Sequence, residues 1–151
     1  MVGIILIFYN NEKNLNLNVL TQVLNEASKL HFCLVNNGSS DKTLELLESI
    51  KYNCTNQINV LDVKKNKGEL MALKSATRYL NSTLNLKFIG YVAIENLKGV
   101  DVLKKLLGLK PNFYNEINTS FLVKPKSNSV LVKNVFSIID YLKKVLNDKK
   151  Q

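Results

Sequence analysis

The sequence predicts an α/β fold, a three-layer α/β/α arrangement around a mainly parallel sheet. Three observations predict it. Short β-branched runs recur along the 151 residues. Segments with apolar residues at helical spacing separate them. The connections are short, so strand and helix alternate four times, and such alternation implies a parallel sheet with helices on both faces.

The elements follow in order. "VGIILIF" (2–8) is a continuous apolar run, which suits a strand buried on both faces. Leu17, Leu20, Leu24 and Ala27 recur at helical spacing. "FCLVN" (32–36) is a second strand, and Leu44, Leu47 and Ile50 mark the helix after it. "INVLDV" (58–63) is a third strand. Leu70, Leu73, Thr77 and Leu80 mark a helix that begins just after Gly68. "FIGYVAI" (88–94) is a fourth strand, followed by a short helix at Val102, Leu103, Leu106 and Leu107. "NEINTSFLVK" (115–124) suggests a fifth strand. Leu131, Val135, Ile138, Leu142 and Val145 outline a last amphipathic helix at about 129–147. The whole chain, 1–151, reads as one domain.

Composition narrows the class. The hydrophobic content of 46% supports a globular core, not a disordered chain. No run approaches the roughly 20 apolar residues that span a bilayer. The start "MVGIILIFYNN" has no basic region or small-residue cleavage site, so it reads as a strand and the protein as cytoplasmic. Cys33 and Cys54 lack metal-ligand spacing. Cys33 lies in an apolar run and reads as a buried thiol, and no disulfide is expected. The net charge of +9 has two readings: an anionic partner, or a lysine-rich composition with scattered charges. Arg78 is the only arginine and no aromatic-rich RNA signature is present, which argues against nucleic acid.

Ligands of such sheets bind beyond the carboxyl ends of the strands. The ends of interest are Phe8 to Asn11, Asn36 to Ser39, Lys64 to Gly68 and Ala93 to Asn96. "LVNNGSSDKT" (34–43) ends an apolar run in a tight loop that opens a helix. Gly38 permits the turn, while Ser39, Asp41 and Thr43 can bond the loose amides at the helix start.

Four segments, in order over nearly the whole chain, resemble family 2 glycosyltransferases, and within them the polyprenyl-phosphate sugar synthases. "IILIFYNNEKNL" (4–15) is similar to the family's first strand and loop. Tyr9, Asn10, Asn14 and Leu15 match, with Ile7 in place of a proline and Asn11 in place of a glutamate. "LVNNGSSDKT" is similar to Val-Asp-Asp-Gly-Ser-x-Asp-x-Thr, with Asn36 and Asn37 at the two aspartates. "KKNKGELMALKSA" (64–76) is similar to Asn-x-Gly-Lys-Gly-x-Ala. Asn66, Gly68 and Ala72 match, and Glu69 and Leu70 replace Lys-Gly. "FIGYVAIENL" (88–97) falls at Phe-Leu-Asp-x-Asp, with Ala93 at the first acid and Glu95 at the last.

The resemblance implies a GT-A-like, Rossmann-like nucleotide-binding half that takes a nucleotide diphosphate sugar. It places Phe8, Tyr9, Asn10, Asn11, Asn36, Asn37, Gly68 and Lys74 at the nucleotide and Glu95 at a divalent metal, manganese or magnesium. Each role has a plain alternative. Tyr9 either packs beside a base or covers a strand end. Asn37 keeps an acceptor oxygen but lacks the charge of an aspartate. Glu69 sets an unfavourable charge near any diphosphate. Glu95 either holds a metal together with the nucleotide or is a polar residue at a strand end.

"FYNEINTSFLVKPKSNSVLVKNVFSIIDYLKKVL" (113–146) resembles the family's later strand and helix, with Leu122 or Lys124 at an arginine position. The family continues into a segment with the acceptor site and catalytic base, which this reading takes as missing. No catalytic base can be named: Asp140 lies on the last helix and His31 before the second strand.

Three readings follow: a transferase, a non-catalytic relative that scaffolds or regulates an active transferase, and an unrelated α/β module. The departures cluster at ligand positions while Gly38, Thr43 and Gly68 are kept, which points to an impaired or repurposed site. An unpaired terminal helix would favour self-association, a partner glycosyltransferase, or a peripheral role at the inner membrane face.

Overall fold

The computed structural model describes residues 1–94, 101, 104–105, 108 and 134–148. Strand β1 (Val2–Phe8) leads to α1 (Leu17–Glu26), β2 (Leu30–Asn37), α2 (Thr43–Asn53) and β3 (Ile58–Val63). Helix α3 (Glu69–Thr83) and β4 (Phe88–Ile94) follow, then β5 (Val135–Ser137) and α4 (Ile138–Asp148). The sheet order is β3-β2-β1-β4-β5 and every pairing is parallel. The predicted three-layer α/β/α class holds, and β1, β3 and β4 have the predicted bounds.

Strand alternation divides the core. Ile4, Leu6, Phe8, Phe32 and Leu34 pack with residues of α1, α2 and α4, such as Leu24, Leu47 and Tyr141. Ile5, Ile7, Cys33 and Val35 pack with Ala72, Leu73, Ala76 and Leu80 of α3. Strand β1 is buried along its whole length, because it has neighbours on both edges and helices on both faces. Its continuous apolar run follows from that position. The chain moves from β1 outward to β3, then returns through α3 to β4 on the other side of β1. The order therefore reverses between β1 and β4, where the strand ends part.

The last helix differs from the expectation. The spacing predicts helix over about 129–147, but Val135–Ser137 is a strand and α4 begins at Ile138. Residues 129–133 lie outside the described residues. Val135 pairs with Ile89, Phe136 with Gly90 and Ser137 with Tyr91, and the Ile89 amide donates to the Asn134 carbonyl at 2.9 Å. The free edge of β4 needs backbone partners, and this pairing overrides the helical spacing of the side chains. Gly90 makes room for it, since a Cβ there would stand 2.8 Å from Phe136 Cζ.

The predicted strand at 115–124 lies outside the described residues. So does most of the short helix predicted at Val102–Leu107, where Lys104 and Lys105 are described as helical. Both cysteines are free. Cys33 is fully buried, and burial pushes its thiol up to about 12. Among the described residues, no helix is long and apolar enough to cross a membrane.

Candidate functional site

A cleft of ≈ 390 Å³ opens at the carboxyl ends of the strands, on the α3 face of the sheet. Ile7, Tyr9, Asn37, Asn66, Glu69, Ala93 and Ile94 line it. It lies where β1 and β4 part, at the reversal of strand order.

The loops around it are laced together. The Asn10 amide donates to Ser39 Oγ at 3.0 Å, and Asn10 Oδ1 accepts from the Ser40 amide at 2.9 Å. The buried Asn11 amide donates to Thr43 Oγ1 at 2.8 Å. The Glu12 amide donates to Asp41 Oδ2 at 3.1 Å, and the Lys42 amide returns a bond to Glu12 Oε2 at 3.2 Å. Asn10 sits at φ +49, a left-handed conformation that asparagine tolerates better than most residues.

Asp41 Oδ1 accepts from the Thr43 amide at 3.0 Å in a turn just before α2, but the N-cap position is Lys42 and no side chain caps the helix, against the expectation. Ser39 does not cap the helix; its hydroxyl reaches across to the β1 loop. Burial of Asp41 acts to raise its carboxyl, but hydrogen bonds from Thr43 and the Glu12 amide outweigh it and hold the group below its ordinary value.

Gly38 joins this lacing to the β3–α3 loop. Its φ is +67, and a Cβ there would fall 2.3 Å from the Asn66 nitrogen. The absent side chain lets the Lys65–Asn66 backbone lie against the turn and close one flank of the cleft. Asn66 then bends its own loop, accepting from the Gly68 amide at 2.8 Å. The Asn-x-Gly spacing in the sequence signals such a turn.

The expected nucleotide residues divide into groups. Tyr9 and Asn37 line the cleft. Asn37 is 4% exposed, and its Oδ1 is buried with no hydrogen-bond partner among the described residues. Tyr9 is 52% exposed.

Phe8, Asn36, Asn11 and Asn10 do other work. Phe8 is fully buried in the core shared with α1, α2 and α4, so its ring is not available to a ligand. Alternation along β1 turns it away from the cleft that Ile7 faces. Asn36 Nδ2 donates to Asp62 Oδ1 at 2.9 Å across the β2–β3 register, and Asn36 Oδ1 accepts from the Ser39 amide at 3.4 Å. Asn11 is 1% exposed. Its Oδ1 accepts from the Tyr9 amide at 2.8 Å and its Nδ2 donates to the Ile94 carbonyl at 2.7 Å. The asparagines at 10, 11 and 36 thus hold loops and strand ends in place.

Gly68 has φ +96 and is the N-cap residue just before α3, with its amide already bonded to Asn66. Lys74 is half-buried on α3 and is not among the residues that line the cleft. Glu95, the expected metal ligand, lies outside the described residues. Two site features escaped the sequence. Asp62 carries no local signal, because its partner Asn36 comes from register on a neighbouring strand. The pairing of Asn11 with Ile94 joins positions 83 apart.

The residue expected to hold a divalent metal, Glu95, lies outside the described residues, and the described lining adds few ligands. A hard cation needs several oxygen ligands, usually with one or two carboxylates. Ala93 offers none, Glu69 is the one carboxylate among the described lining residues, and no group of three or more His, Cys, Asp or Glu gathers among the described residues.

The model of Glycosyl transferase family 2 matches residues 3–91, which include β1 to β3, α3 and most of β4. Among solved structures, the chain is similar to S. aureus TarS at 20% identity and a TM-score of 0.47, covering 61% of this chain and 16% of that one. It is also similar to TarS 1–349 in complex with UDP, at 20% identity and a TM-score of 0.48, covering 61% and 26%. The complex of TarS 1–349 with UDP-GlcNAc matches at 19% identity and a TM-score of 0.46, again covering 61% and 26%. The chain therefore spans about a quarter or less of these structures. No curated protein matches the chain.

Proposed function

The chain belongs to glycosyl transferase family 2, and from that premise we propose that its cleft binds the nucleoside part of a nucleotide diphosphate sugar while group transfer is impaired. The buried, unpartnered Oδ1 of Asn37 carries this reading. An acceptor hidden from water without a partner costs about 1–3 kcal/mol, and a base N–H supplies the missing donor. The exposed Tyr9 ring lines the same cleft and offers a face for stacking, which tolerates any base.

Transfer breaks the bond between the sugar anomeric carbon and the diphosphate oxygen and forms one to an acceptor oxygen. The departing diphosphate needs positive charge or hydrogen-bond donors. The described cleft presents Ala93 and Glu69 at this point, so we derive no step through a metal. The same two residues favour the second reading, a non-catalytic relative that scaffolds or regulates an active transferase. The resemblance to polyprenyl-phosphate sugar synthases makes a lipid phosphate the acceptor class to test if transfer occurs.

The test is a thermal-shift and calorimetric panel of uridine, guanosine, their diphosphates and their diphosphate sugars, with and without manganese. Ligand at 100 times its dissociation constant adds about 2.7 kcal/mol of stability. Asn37→Ala is expected to weaken binding roughly tenfold by removing one hydrogen bond. A flat panel, or undiminished binding to Asn37→Ala, sinks the nucleoside reading. Sugar transfer to a lipid phosphate by the wild-type chain sinks the claim of impaired chemistry.

A further inference from the structure

The phosphate-facing features of the cleft are already occupied by the chain itself. Helix α3 begins beside the cleft, and a helix N-terminus attracts anions through its unbonded amides and dipole. Here the first helical residue is Glu69, whose side chain lines the cleft. A carboxylate in the first turn is itself the anion that this end of the helix favours. The preceding Gly68 amide donates to Asn66 Oδ1 at 2.8 Å, so it is not free for a phosphate oxygen.

The other polar side chains of the cleft, Tyr9, Asn37 and Asn66, are uncharged. Glu69 is thus the one charged group among the described lining residues, and its carboxylate disfavours phosphate oxygens. The field of Glu69 reaches the neighbouring strand. Burial raises the Tyr91 hydroxyl above its ordinary value, the Glu69 and Asp140 carboxylates add to the rise, and a hydrogen bond with Ser137 opposes it.

We infer that Glu69 is a specificity residue that sets this cleft against the diphosphate of its ligand, so that a free nucleoside binds at least as tightly as its diphosphate. The inference rests on the nucleoside-binding reading above and adds to it the residue that controls the phosphate. Exposed Lys65 and Lys67 stand on the loop before α3. They offer long-range attraction, whereas Glu69 stands in the cleft itself.

The experiment compares uridine with UDP, and guanosine with GDP, by calorimetric titration of the full chain without metal. The readout is the ratio of nucleoside to diphosphate dissociation constants. In wild type the ratio is expected to be one or less. Glu69→Gln is expected to shift it at least about fivefold toward the diphosphate, and Glu69→Lys further. The shift is expected to shrink in high salt, because the residue is exposed. Melting curves without ligand check that both variants fold. If wild type binds the diphosphate far more tightly than the nucleoside, or if neither variant moves the ratio, the role of Glu69 is wrong while nucleoside binding stands. If no nucleoside or diphosphate binds any of the three proteins, both readings fall.

Discussion

Asn11 Nδ2 donates to the Ile94 carbonyl at 2.7 Å, joining the loop after β1 to the end of β4 where the strand order reverses. Among the described residues, parallel pairing between these strands runs from Val2↔Phe88 to Phe8↔Ile94. The Asn11 side chain adds a bond at the last of these positions, and its Oδ1 fixes the Tyr9 amide at the mouth of the cleft.

Asn11→Ala therefore leaves the Tyr9 amide and the Ile94 carbonyl without this partner. A loss of about 2 kcal/mol is expected, in line with exposing polar groups in a buried setting to an unmade bond. Urea denaturation measures it. Asn11→Asp keeps the acceptor for Tyr9 but loses the donor to Ile94, so it is expected to recover at most part of the stability. A stability change below a few tenths of a kcal/mol for Asn11→Ala would show that the clasp is idle.

Gly38→Ala meets two obstacles at once. The φ of +67 disfavours any Cβ, and the added carbon would stand 2.3 Å from the Asn66 nitrogen. The combined cost is expected to be about 2 kcal/mol or more, part of it as displacement of the β3–α3 loop. Gly68→Ala meets the backbone obstacle alone, since its φ of +96 and ψ of 163 suit only glycine while nothing lies within 4 Å of the added Cβ. Chemical denaturation measures both losses, and a loss below a few tenths of a kcal/mol for Gly38→Ala would rule out the crowding and the strain together.

Asp41 gives the loop an acid-sensitive contribution. Its carboxyl is held below its ordinary 3.8, so the folded state binds its proton less readily than the unfolded chain does. The stabilisation is full above the ordinary aspartate range and is lost as the pH falls through 3.8 to the lower folded value. The group is only half-buried at the surface, so the effect is modest. Melting temperatures of wild type and Asp41→Asn, followed from pH 6 to about pH 2.5, are expected to converge at the acid end. A gap that persists unchanged at the lowest pH would refute the linkage.

The two thiols are expected to react in order. Cys33 is fully buried with its thiol pushed up to about 12, whereas Cys54 is half-buried and raised less far by burial, with a Thr21 hydrogen bond in opposition. Since the thiolate is the reactive form, a thiol reagent on the native chain modifies Cys54 first. Cys33 reacts when the chain unfolds. Mass mapping of partly labelled protein checks this, and equal early labelling of both would contradict the packed environment of β2.

The strand and helix order was legible because it rests on local patterns. Continuous apolar runs, helical spacing and glycine-bearing turns marked β1, β2, β3, β4 and the first three helices from residues close in sequence. The family resemblance drew on the same segments. Val135–Ser137 was misread because its fate depends on the open edge of β4, a partner some 46 residues earlier in the pairing Ile89↔Val135.

The candidate site was legible as a set of loops but not as a set of roles. Four asparagines, at 10, 11, 36 and 37, read alike as amides at a ligand-binding position. Tertiary structure separated them. Strand alternation sent Asn36 and Asn37 to opposite sides, cross-strand register gave Asn36 to Asp62, and the parting of β1 from β4 gave Asn11 to Ile94. Asn37 alone of the four has a buried oxygen without a partner among the described residues. Local sequence sets which backbone shapes and periodicities are available, so it specifies the elements. Which polar atom is satisfied depends on neighbours brought together from 26 to 83 positions away, and folding alone decides that.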